Sequence, residues 1–173
     1  MNQIEIVKIN SEYLSELKHI SEITFLETFS YKNKEEDMSL YLERNFSLSR
    51  LNEELENSNS EFYLAYYEKA PIAYLKLNVA EAQTERKLDQ ALEIERIYVL
   101  KDFQGKGIGK LLMNYAFQCA INKKNKWVWL GVWEENQKAL DFYYSMGFRV
   151  FDSHIFLLGE DAQTDLLLKI EMT

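Results

Sequence analysis

Three residue types that often shape small folds are scarce in this 173-residue chain, which has one cysteine, one proline and six glycines. A single cysteine, Cys119, excludes an internal disulfide framework, and its helical neighbours predict an ordinary packed thiol rather than a nucleophile. The scarcity of proline and glycine excludes collagen-like and linker-rich chains, and no repeat of fixed period is visible. We therefore expect one compact domain over residues 1–173, whose 47% apolar residues fill its core.

Long apolar runs and an excess of basic residues are also lacking. No segment reaches the length of a membrane span, and "MNQIEIVKIN" is not a basic leader with an apolar stretch, so we expect a cytoplasmic protein without membrane contact. The formal net charge of −8 repels polyanions and argues against nucleic-acid binding. It favours a small cationic substrate instead. The sequence does not distinguish a monomer from a homodimer.

Apolar periodicity predicts an α/β (α+β) fold with the order βααα-ββ-βα-βα-ββ, in which helices cover both faces of a mixed central sheet. "IEIVKI" alternates like a strand, and Ser11 is predicted to cap the first helix. Two short helices are expected between about residues 34 and 58. Two strands then join at Glu68 to Pro71, where the proline presets the turn.

The second half of the chain alternates strands and helices. A strand is predicted at Leu92 to Leu100, followed by an amphipathic helix over "GIGKLLMNYAFQCAI". Its predicted inward residues are Ile108, Leu111, Leu112, Tyr115, Ala116 and Cys119. "WVWLGVW" is typical of a buried strand, and "NQKALDFYYSMGF" predicts a helix that ends at Gly147. Two more strands complete the fold.

The stretch "QGKGIGKLL" concentrates glycines and lysines at a strand-to-helix joint, a pattern typical of phosphate binding. A P-loop needs serine or threonine after its lysine, but Leu111 follows Lys110, so this interpretation fails. A dinucleotide fingerprint needs a third glycine at 110 or 112. Lys110 and Leu112 occupy these positions, but Glu134 could serve as the ribose-binding acid, so dinucleotide binding stays a minor alternative.

A third phosphate-binding pattern, [Q/R]-x-x-G-x-[G/A], is matched by Gln104, Gly107 and Gly109. Glycines at these positions let successive backbone N–H groups approach a pyrophosphate, and the start of the helix adds a favourable dipole. Lys106 and Lys110 add positive charge nearby. For this short pattern alone, a glycine-rich helix start with solvated lysines explains the residues about as well.

Four segments together resemble the GNAT superfamily of acetyl-CoA-dependent N-acetyltransferases: "LEIERIYV", "QGKGIGK", "WLGVWEEN" and "ALDFYYSMGF". The resemblance covers nearly the whole chain, because the element order also matches. Within the superfamily, these segments and "QTDLLL" are similar to PaiA-type spermidine/spermine acetyltransferases. The resemblance implies acetyl-CoA as cofactor, no metal, and direct transfer to a small cationic amine in a ternary complex.

The resemblance also implies how the cofactor is held. The strand Leu92 to Leu100 is expected to splay from the next strand, Lys126 to Trp133, and to admit the pantetheine arm between them. The implied cofactor contacts are Ile97, Tyr98, Val99, Gln104, Gly105, Lys106, Gly107, Ile108, Gly109, Lys110, Asn136 and Tyr143. A helix N-cap also explains Asn136, and one residue can do both.

Acetyl transfer to an amine needs a free lone pair on nitrogen, so a carboxylate or a water relay is useful for removing a proton. Glu93 is the first candidate base, and Glu95 shares its face if the strand is regular. Pairing with Arg96 or lysines explains both glutamates nearly as well. Tyr143, in the pattern A-x-x-x-Y-x-x-x-G-F, is implied as the acid for the leaving thiolate, with Tyr144 as its alternative and core packing as the simpler explanation.

The acceptor pocket of this superfamily lies between the early helices and the last strands. The residues expected there are Glu27, Tyr31, Trp133, Glu134, Glu135, His154 and Asp161. Carboxylates and aromatic faces suit a di- or trication. Ordinary surface charge explains each residue singly, and a lone histidine such as His154 is more often structural.

The leading hypothesis is therefore an enzyme that acetylates a primary amine of spermidine or spermine. One alternative is a different acceptor, such as a protein N-terminus, an aminoglycoside or a small amine, because the cofactor motif does not encode the acceptor. Another is a CoA-sensing regulatory module with little catalysis.

Overall fold

A central sheet with helices on both faces organises the chain in a computed structural model that describes residues 4–158 and 161–172. The strands are β1 (Glu5–Lys8), β2 (Ser60–Tyr67), β3 (Ala70–Val79), β4 (Ala91–Val99), β5 (Trp127–Trp133), β6 (Arg149–Leu158) and β7 (Asp161–Glu171). The helices are α1 (Leu14–Phe29), α2 (Glu35–Asn45), α3 (Leu48–Glu56), α4 (Ile108–Asn122) and α5 (Gln137–Ser145). This order confirms the predicted βααα-ββ-βα-βα-ββ.

The strands follow the spatial order β1-β2-β3-β4-β5-β7-β6, and one neighbouring pair is parallel: β4 and β5, joined by α4. Their ladder runs from the pair Ala91–Trp127 to the pair Glu93–Trp129 and then stops, although β4 continues to Val99. Beyond this point β4 pairs with β3 but not with β5 in the described ladders. The predicted splay is confirmed, and we call the opening between β4 and β5 the wedge.

A β-bulge interrupts β4 beside the wedge. Lys76 of β3 pairs with Arg96, whereas the next residue, Leu77, pairs with Ile94, so Glu95 is an extra residue in β4. The strand is therefore not regular at Glu95. The Asn78 amide nevertheless donates hydrogen bonds to the carboxylates of both Glu93 (3.1 Å) and Glu95 (2.6 Å), so the two acids lie on the same side of the sheet.

The two faces of the sheet have separate cores. Helices α4 and α5 cover one face, where their apolar residues pack on Leu92, Val128 and Leu168. Helices α1 to α3 cover the other face, where Phe25 and Phe62 are among the buried side chains. We call these the α4/α5 face and the α1–α3 face. No helix of the described part is both long and apolar enough to span a membrane.

The inward stripe of α4 differs in part from the prediction. Leu111 is 40% exposed, so its predicted burial is wrong. The buried residues of α4 are Ile108, Leu112, Met113, Ala116 and Ala120, while Tyr115 and Cys119 are half-buried against the same core. The stripe repeats every four residues from the helix start, which places Leu111 at its outer edge.

Two local signals were also assigned to the wrong residue. The Asn10 side chain, not Ser11, accepts a hydrogen bond from the Glu12 N–H, and a short 3₁₀ turn precedes α1. The β2–β3 turn centres on Glu68 and Lys69, which both have positive φ, while Pro71 lies inside β3. Two successive residues with positive φ match the twist of a two-residue hairpin, so the proline is not needed to form it.

A buried network of charges ties α3 to β3 and β4. Glu54 accepts two hydrogen bonds from Arg96 (2.9 and 3.1 Å) and pairs with Lys76 (2.9 Å). Lys76 and Arg96 also pair with Glu95 of the bulge. Because Glu54, Lys76 and Arg96 are all under 10% exposed, removal of one partner leaves a buried charge poorly compensated.

We expect Glu54→Gln to lower the free energy of unfolding by about 3 kcal/mol, because Arg96 and Lys76 lose their shared carboxylate. Urea unfolding followed by tryptophan fluorescence measures the change. Glu53→Gln is the control, since Glu53 is 66% exposed on the same helix and should cost under about 1 kcal/mol. Equal midpoints for both variants would show that the network does not stabilise the fold.

Candidate active site

The loop before α4 has the backbone that an anion site requires. Gly105 (φ +74°) and Gly107 (φ +82°) adopt the left-handed region, which is strained for residues with a Cβ. A Cβ built on either glycine meets no protein atom within 4 Å, so both glycines face open space. Gly109 differs, because a Cβ built there would lie in ordinary van der Waals contact with the Phe142 ring of α5, at 3.6 Å.

The amides at the start of α4 are available to a ligand. The first bond of the helix runs from the Leu111 N–H to the Gly107 carbonyl (3.0 Å), so the N–H groups of residues 108–110 have no acceptor within the helix. They lie at the positive end of the helix dipole. This loop therefore fits a pyrophosphate, the group that the predicted cofactor would place there.

Gln104 fixes the loop between two elements. Its amide donates to the Val99 carbonyl (3.0 Å) at the end of β4, and its oxygen accepts from the Lys138 ammonium (2.6 Å) of α5. Lys138 therefore adds a third cation to the loop that already carries the exposed Lys106 and Lys110. No sequence motif singles out Lys138, because its position depends on how α5 packs.

The end of β4 borders both the loop and the wedge. Ile97, Tyr98 and Val99 pair with β3 on one side, while their other side has no strand partner in the described ladders. The backbone groups of this segment that face the wedge can pair with an extended ligand, as the pantetheine arm requires, except for the Val99 carbonyl, which already accepts from Gln104. The chain thus runs directly from the unpaired edge of β4 to the start of α4, and the cofactor contacts expected from Ile97 to Lys110 stay a prediction.

Asn136 starts α5. Its side-chain oxygen accepts a hydrogen bond from the Ala139 N–H (3.2 Å), so the N-cap interpretation of this residue is confirmed. The amide nitrogen of Asn136 is not used by this cap. A cofactor contact at Asn136 stays a prediction.

The position of Tyr143 is fixed by the end of α5. The Gly147 N–H bonds to the Tyr144 carbonyl and the Phe148 N–H to the Tyr143 carbonyl (both 3.1 Å), a Schellman motif with Gly147 at φ +98°. The Phe148 ring packs on the Tyr143 ring with centroids 5.9 Å apart. The predicted helix end at Gly147 is confirmed, and it anchors Tyr143.

Tyr143 is buried (8% exposed), and its hydroxyl makes no hydrogen bond to the described residues. Burial raises its pKa above the usual range, so the phenol carries its proton at neutral pH. Burial and nearby phenols, including that of Tyr143, raise the pKa of Tyr98, whose ring packs on the opposite face. Tyr143 is thus a buried, protonated phenol of the α4/α5 face, whereas Tyr144 is 39% exposed.

The two predicted base candidates differ in their environment. Burial raises the pKa of Glu93, although Thr84 and Asn78 donate hydrogen bonds to both of its oxygens. Burial alone would also raise the pKa of Glu95, but Arg96 and Lys76 outweigh it and lower the pKa. Glu95 therefore stays ionised in its ion pairs and is the poorer base.

The acceptor side brings some predicted residues together. The Lys32 ammonium pairs with Glu135 (2.5 Å) and lies over the rings of Trp133 (5.4 Å) and Tyr31 (5.7 Å). Glu27 lies apart from this group, where its carboxylate accepts from the Lys101 N–H (2.9 Å) after β4. Glu134 is exposed, and the side chain of Asp161 lies outside the described residues.

His154 stands between two carboxylates. Its Nδ1 contacts Glu85 of the β3–β4 loop, and its Nε2 lies 3.7 Å from Asp165 of β7. No sequence motif predicts the contacts of Glu85 and Asp165 with His154. The pairing of His154 with Asp165 across β6 and β7 depends on strand register, which the sequence does not specify locally.

Cys119 packs in α4 against Tyr63, with the sulfur 3.8 Å from the phenol oxygen. Burial raises its pKa, so little thiolate forms at neutral pH. Within residues 4–158 and 161–172, no group of three or more His, Cys, Asp or Glu side chains is arranged to hold a metal ion.

Comparison with known proteins shows which family has this architecture. The sequence profile of the Acetyltransferase (GNAT) family matches residues 17–148. An uncharacterized N-acetyltransferase of Lactobacillus delbrueckii subsp. lactis is 41% identical over 169 residues, 98% of each chain. The spermidine N(1)-acetyltransferase of Thermoplasma acidophilum is 25% identical over 154 residues, 87% of this chain and 91% of the relative.

Solved structures agree on the fold. The PaiA N-acetyltransferase from Thermoplasma acidophilum in complex with coenzyme A superposes with a TM-score of 0.80 at 22% identity, covering 98% of this chain and 99% of that one. The chain belongs to the GNAT family, and it is an acetyl-CoA-dependent N-acetyltransferase. Membership of this family replaces the dinucleotide alternative by acetyl-CoA as the cofactor, and the binding of CoA at the loop before α4 stays a prediction.

We expect Gly107→Glu to weaken CoA binding about a hundred-fold, or about 3 kcal/mol. A residue with a Cβ is strained at φ +82°, and its carboxylate repels a pyrophosphate at the amides of α4. Isothermal titration with CoA measures the effect. Asn122→Glu, which adds the same charge at the far end of α4, should leave the affinity unchanged; unaltered binding by Gly107→Glu would contradict the assignment.

Proposed function

We propose that this chain, acting as one domain, transfers acetyl from acetyl-CoA to a primary amine of a polyamine such as spermidine or spermine, with both substrates bound together. The observation that carries the polyamine is the group formed by Tyr31, Lys32, Trp133 and Glu135. There the protein holds one of its own alkylammonium groups by a carboxylate and two aromatic rings.

This arrangement suits a substrate ammonium for the same physical reasons that it suits Lys32. An alkylammonium gains charge-assisted contact from Glu135 and cation–π contact from Trp133. Lys32 is 43% exposed at its side chain and its partner 53%, so the pair is weak enough for a polyamine to replace it. Trp133 ends β5 on the α1–α3 face, next to the wedge.

One relative supports a polyamine acceptor by its name, since it is a spermidine N(1)-acetyltransferase. The net charge of −8 favours cations in general. The neighbouring Glu134 is exposed on the same loop and adds to that attraction.

Acetyl-CoA supplies an acetyl group activated as a thioester. The chain's own residues would hold it: the amides at 105–110 with Lys106, Lys110 and Lys138 around the pyrophosphate, and the backbone of residues 97–99 along the arm. Asn136 would add its free amide nitrogen beside the wedge. Backbone N–H groups of β4 facing the wedge would stabilise the developing oxyanion.

The acceptor must lose a proton before it attacks. Deprotonation of an alkylammonium near neutral pH costs roughly 4 to 5 kcal/mol, so a carboxylate or water relay that faces the amine helps. Glu93 and Glu95 lie on the acceptor side of the sheet, and of these Glu93 has the higher pKa. Tyr143 would then deliver its proton to the sulfur of the leaving thiolate.

We expect Tyr143→Phe to lower kcat about a hundred-fold with CoA affinity unchanged within about two-fold, because the hydroxyl supplies a proton but little binding. Assays of CoA thiol release measure kcat, and isothermal titration measures the CoA affinity. Tyr144→Phe is the matched control, since Tyr144 is the next residue of α5 and is 39% exposed. Unchanged turnover in Tyr143→Phe would remove this residue as the acid.

We expect the initial rate of CoA thiol release to be highest with spermidine or spermine in a panel that includes putrescine, an aminoglycoside and peptides with free N-termini. In this panel Glu135→Gln should raise KM for spermidine about three-fold, as for a partly exposed ion pair, and leave KM for a monoamine unchanged.

The control for this variant is Glu171→Gln, because Glu171 is also 53% exposed and paired with a lysine, but at the far end of β7. A preference for peptide N-termini or an aminoglycoside would replace the polyamine by that acceptor. Silence of the whole panel together with thermal stabilisation by CoA would instead indicate a CoA-sensing module.

A further inference from the structure

We propose that Asp165 is the group that takes the proton from the acceptor amine, at a cleft on the α1–α3 face whose floor is Gly131. This inference rests on the proposed N-acetylation of an amine and not on which amine is acetylated. It assigns a catalytic residue that the sequence motifs did not indicate, and it gives His154 and Glu85 the function of positioning that residue.

Gly131 marks the cleft. All residues from Val128 to Trp133 in β5 are buried except Gly131. Gly131 is exposed although its strand lies between β4 and β7 in the sheet. Val128, Leu130 and Val132 point into the core of the α4/α5 face, so alternation directs Gly131 to the α1–α3 face. Gly131 follows the last β4–β5 pair by two residues and therefore borders the wedge.

Asp165 lines this cleft. A Cβ built on Gly131 would lie 3.5 Å from the Asp165 Oδ2 and 3.9 Å from the His154 Cε1, so the missing side chain leaves room directly beside the carboxylate. Asp165 pairs in register with Trp133, the aromatic residue of the proposed ammonium group. A polyamine held at Trp133 thus reaches Asp165 with a neighbouring nitrogen.

Asp165 is also the carboxylate whose oxygens remain available to accept a hydrogen bond from an amine. Glu93 accepts hydrogen bonds on both oxygens from Thr84 and Asn78, and Glu95 is held by Lys76 and Arg96. Asp165 has no hydrogen bond that the described contacts show; its nearest cation partner is His154, at 3.7 Å. An amine entering the cleft would supply the missing donor.

Several titratable groups face Asp165. His154 of β6 lies against it, Glu85 of the β3–β4 loop contacts the far side of His154, and Tyr41 of α2 faces it from above the sheet. Burial raises the pKa of Asp165 to about 6, while the charge of His154 works to lower it. Burial, with a contribution from Asp165, likewise raises the pKa of Tyr41 to about 12, so Tyr41 stays neutral.

The proton step balances without a further reactant. One N–H bond of the acceptor ammonium breaks, an O–H bond forms on a carboxylate oxygen of Asp165, and the electron pair stays on nitrogen for attack. A carboxylate with a pKa near 6 is ionised above pH 6 and is a stronger base than an ordinary aspartate.

The test is the pH dependence of kcat/KM from pH 5 to 9, with the amine of the panel that gives the highest rate. Below pH 6 the wild-type logarithm of kcat/KM should rise with slope 1, because Asp165 must be ionised to take the proton from the bound ammonium, and above pH 6 it should level off. Asp165→Asn should lack this bend near pH 6 and show about a hundred-fold lower rate at pH 8. Asp152→Asn, an exposed aspartate of β6, is the control and should match wild type.

Two further variants separate the neighbouring groups. His154→Gln removes the charge that lowers the pKa of Asp165, so the bend near pH 6 in the kcat/KM profile should move to higher pH. If the bend disappears in this variant, it comes from His154, and the proposal is overturned. Loss of the bend in Glu93→Gln, but not in Asp165→Asn, would assign the base to Glu93 and overturn it as well.

A stability readout guards against misfolding. Because the folded-state pKa of Asp165 lies above its unfolded value, its ionisation destabilises the fold above pH 6, and Asp165→Asn should raise Tm at pH 8 but not at pH 4.

Gly131→Val, which fills the cleft, should raise the amine KM at least ten-fold with unchanged CoA affinity. A wild-type protein silent toward every amine overturns the proposed function, whereas an active wild type with an unaltered Asp165→Asn profile overturns this inference alone.

Discussion

The early end of the β4–β5 ladder is the constraint on which the site depends. Two parallel strands that share three pairs and then separate must leave backbone groups unpaired between them, and those groups need a ligand or water. The bulge at Glu95 and the charge network under it hold β4 in this position from the β3 side. Buried ion pairs thus hold one side of the wedge in place, in addition to the apolar packing of the two cores.

The wedge joins two surfaces of opposite character. On one side, left-handed glycines, helix amides and three lysines around Gln104 favour an anion. On the other side, carboxylates and aromatic rings around Trp133 favour a cation, and the chain as a whole is acidic. In the proposed function, donor and acceptor would meet from opposite faces of one sheet, and direct transfer would need no intermediate on the protein. The half-buried Cys119 thiol is consistent with this proposal, since it packs against Tyr63.

The element order and the helix end at Gly147 could be predicted because each has a local signal, the apolar period or a glycine after a helix, whereas the splay was expected only from the family resemblance. Features set by tertiary packing could not. The bulge at Glu95 depends on register against β3, and the contact of His154 with Asp165 depends on register between β6 and β7. The burial of Leu111 was mispredicted because it lies at the edge of its stripe, where spacing alone does not decide exposure.

Initial-rate kinetics with both substrates varied test the central claim, that two ligands meet at the wedge, most directly. Simultaneous binding predicts double-reciprocal lines that intersect, with CoA as product competing against acetyl-CoA. Parallel lines, and acetyl retained on the protein after incubation with acetyl-CoA alone, would contradict the account, because they would require an acyl-enzyme that the half-buried thiol of Cys119, with its raised pKa, is poorly suited to form.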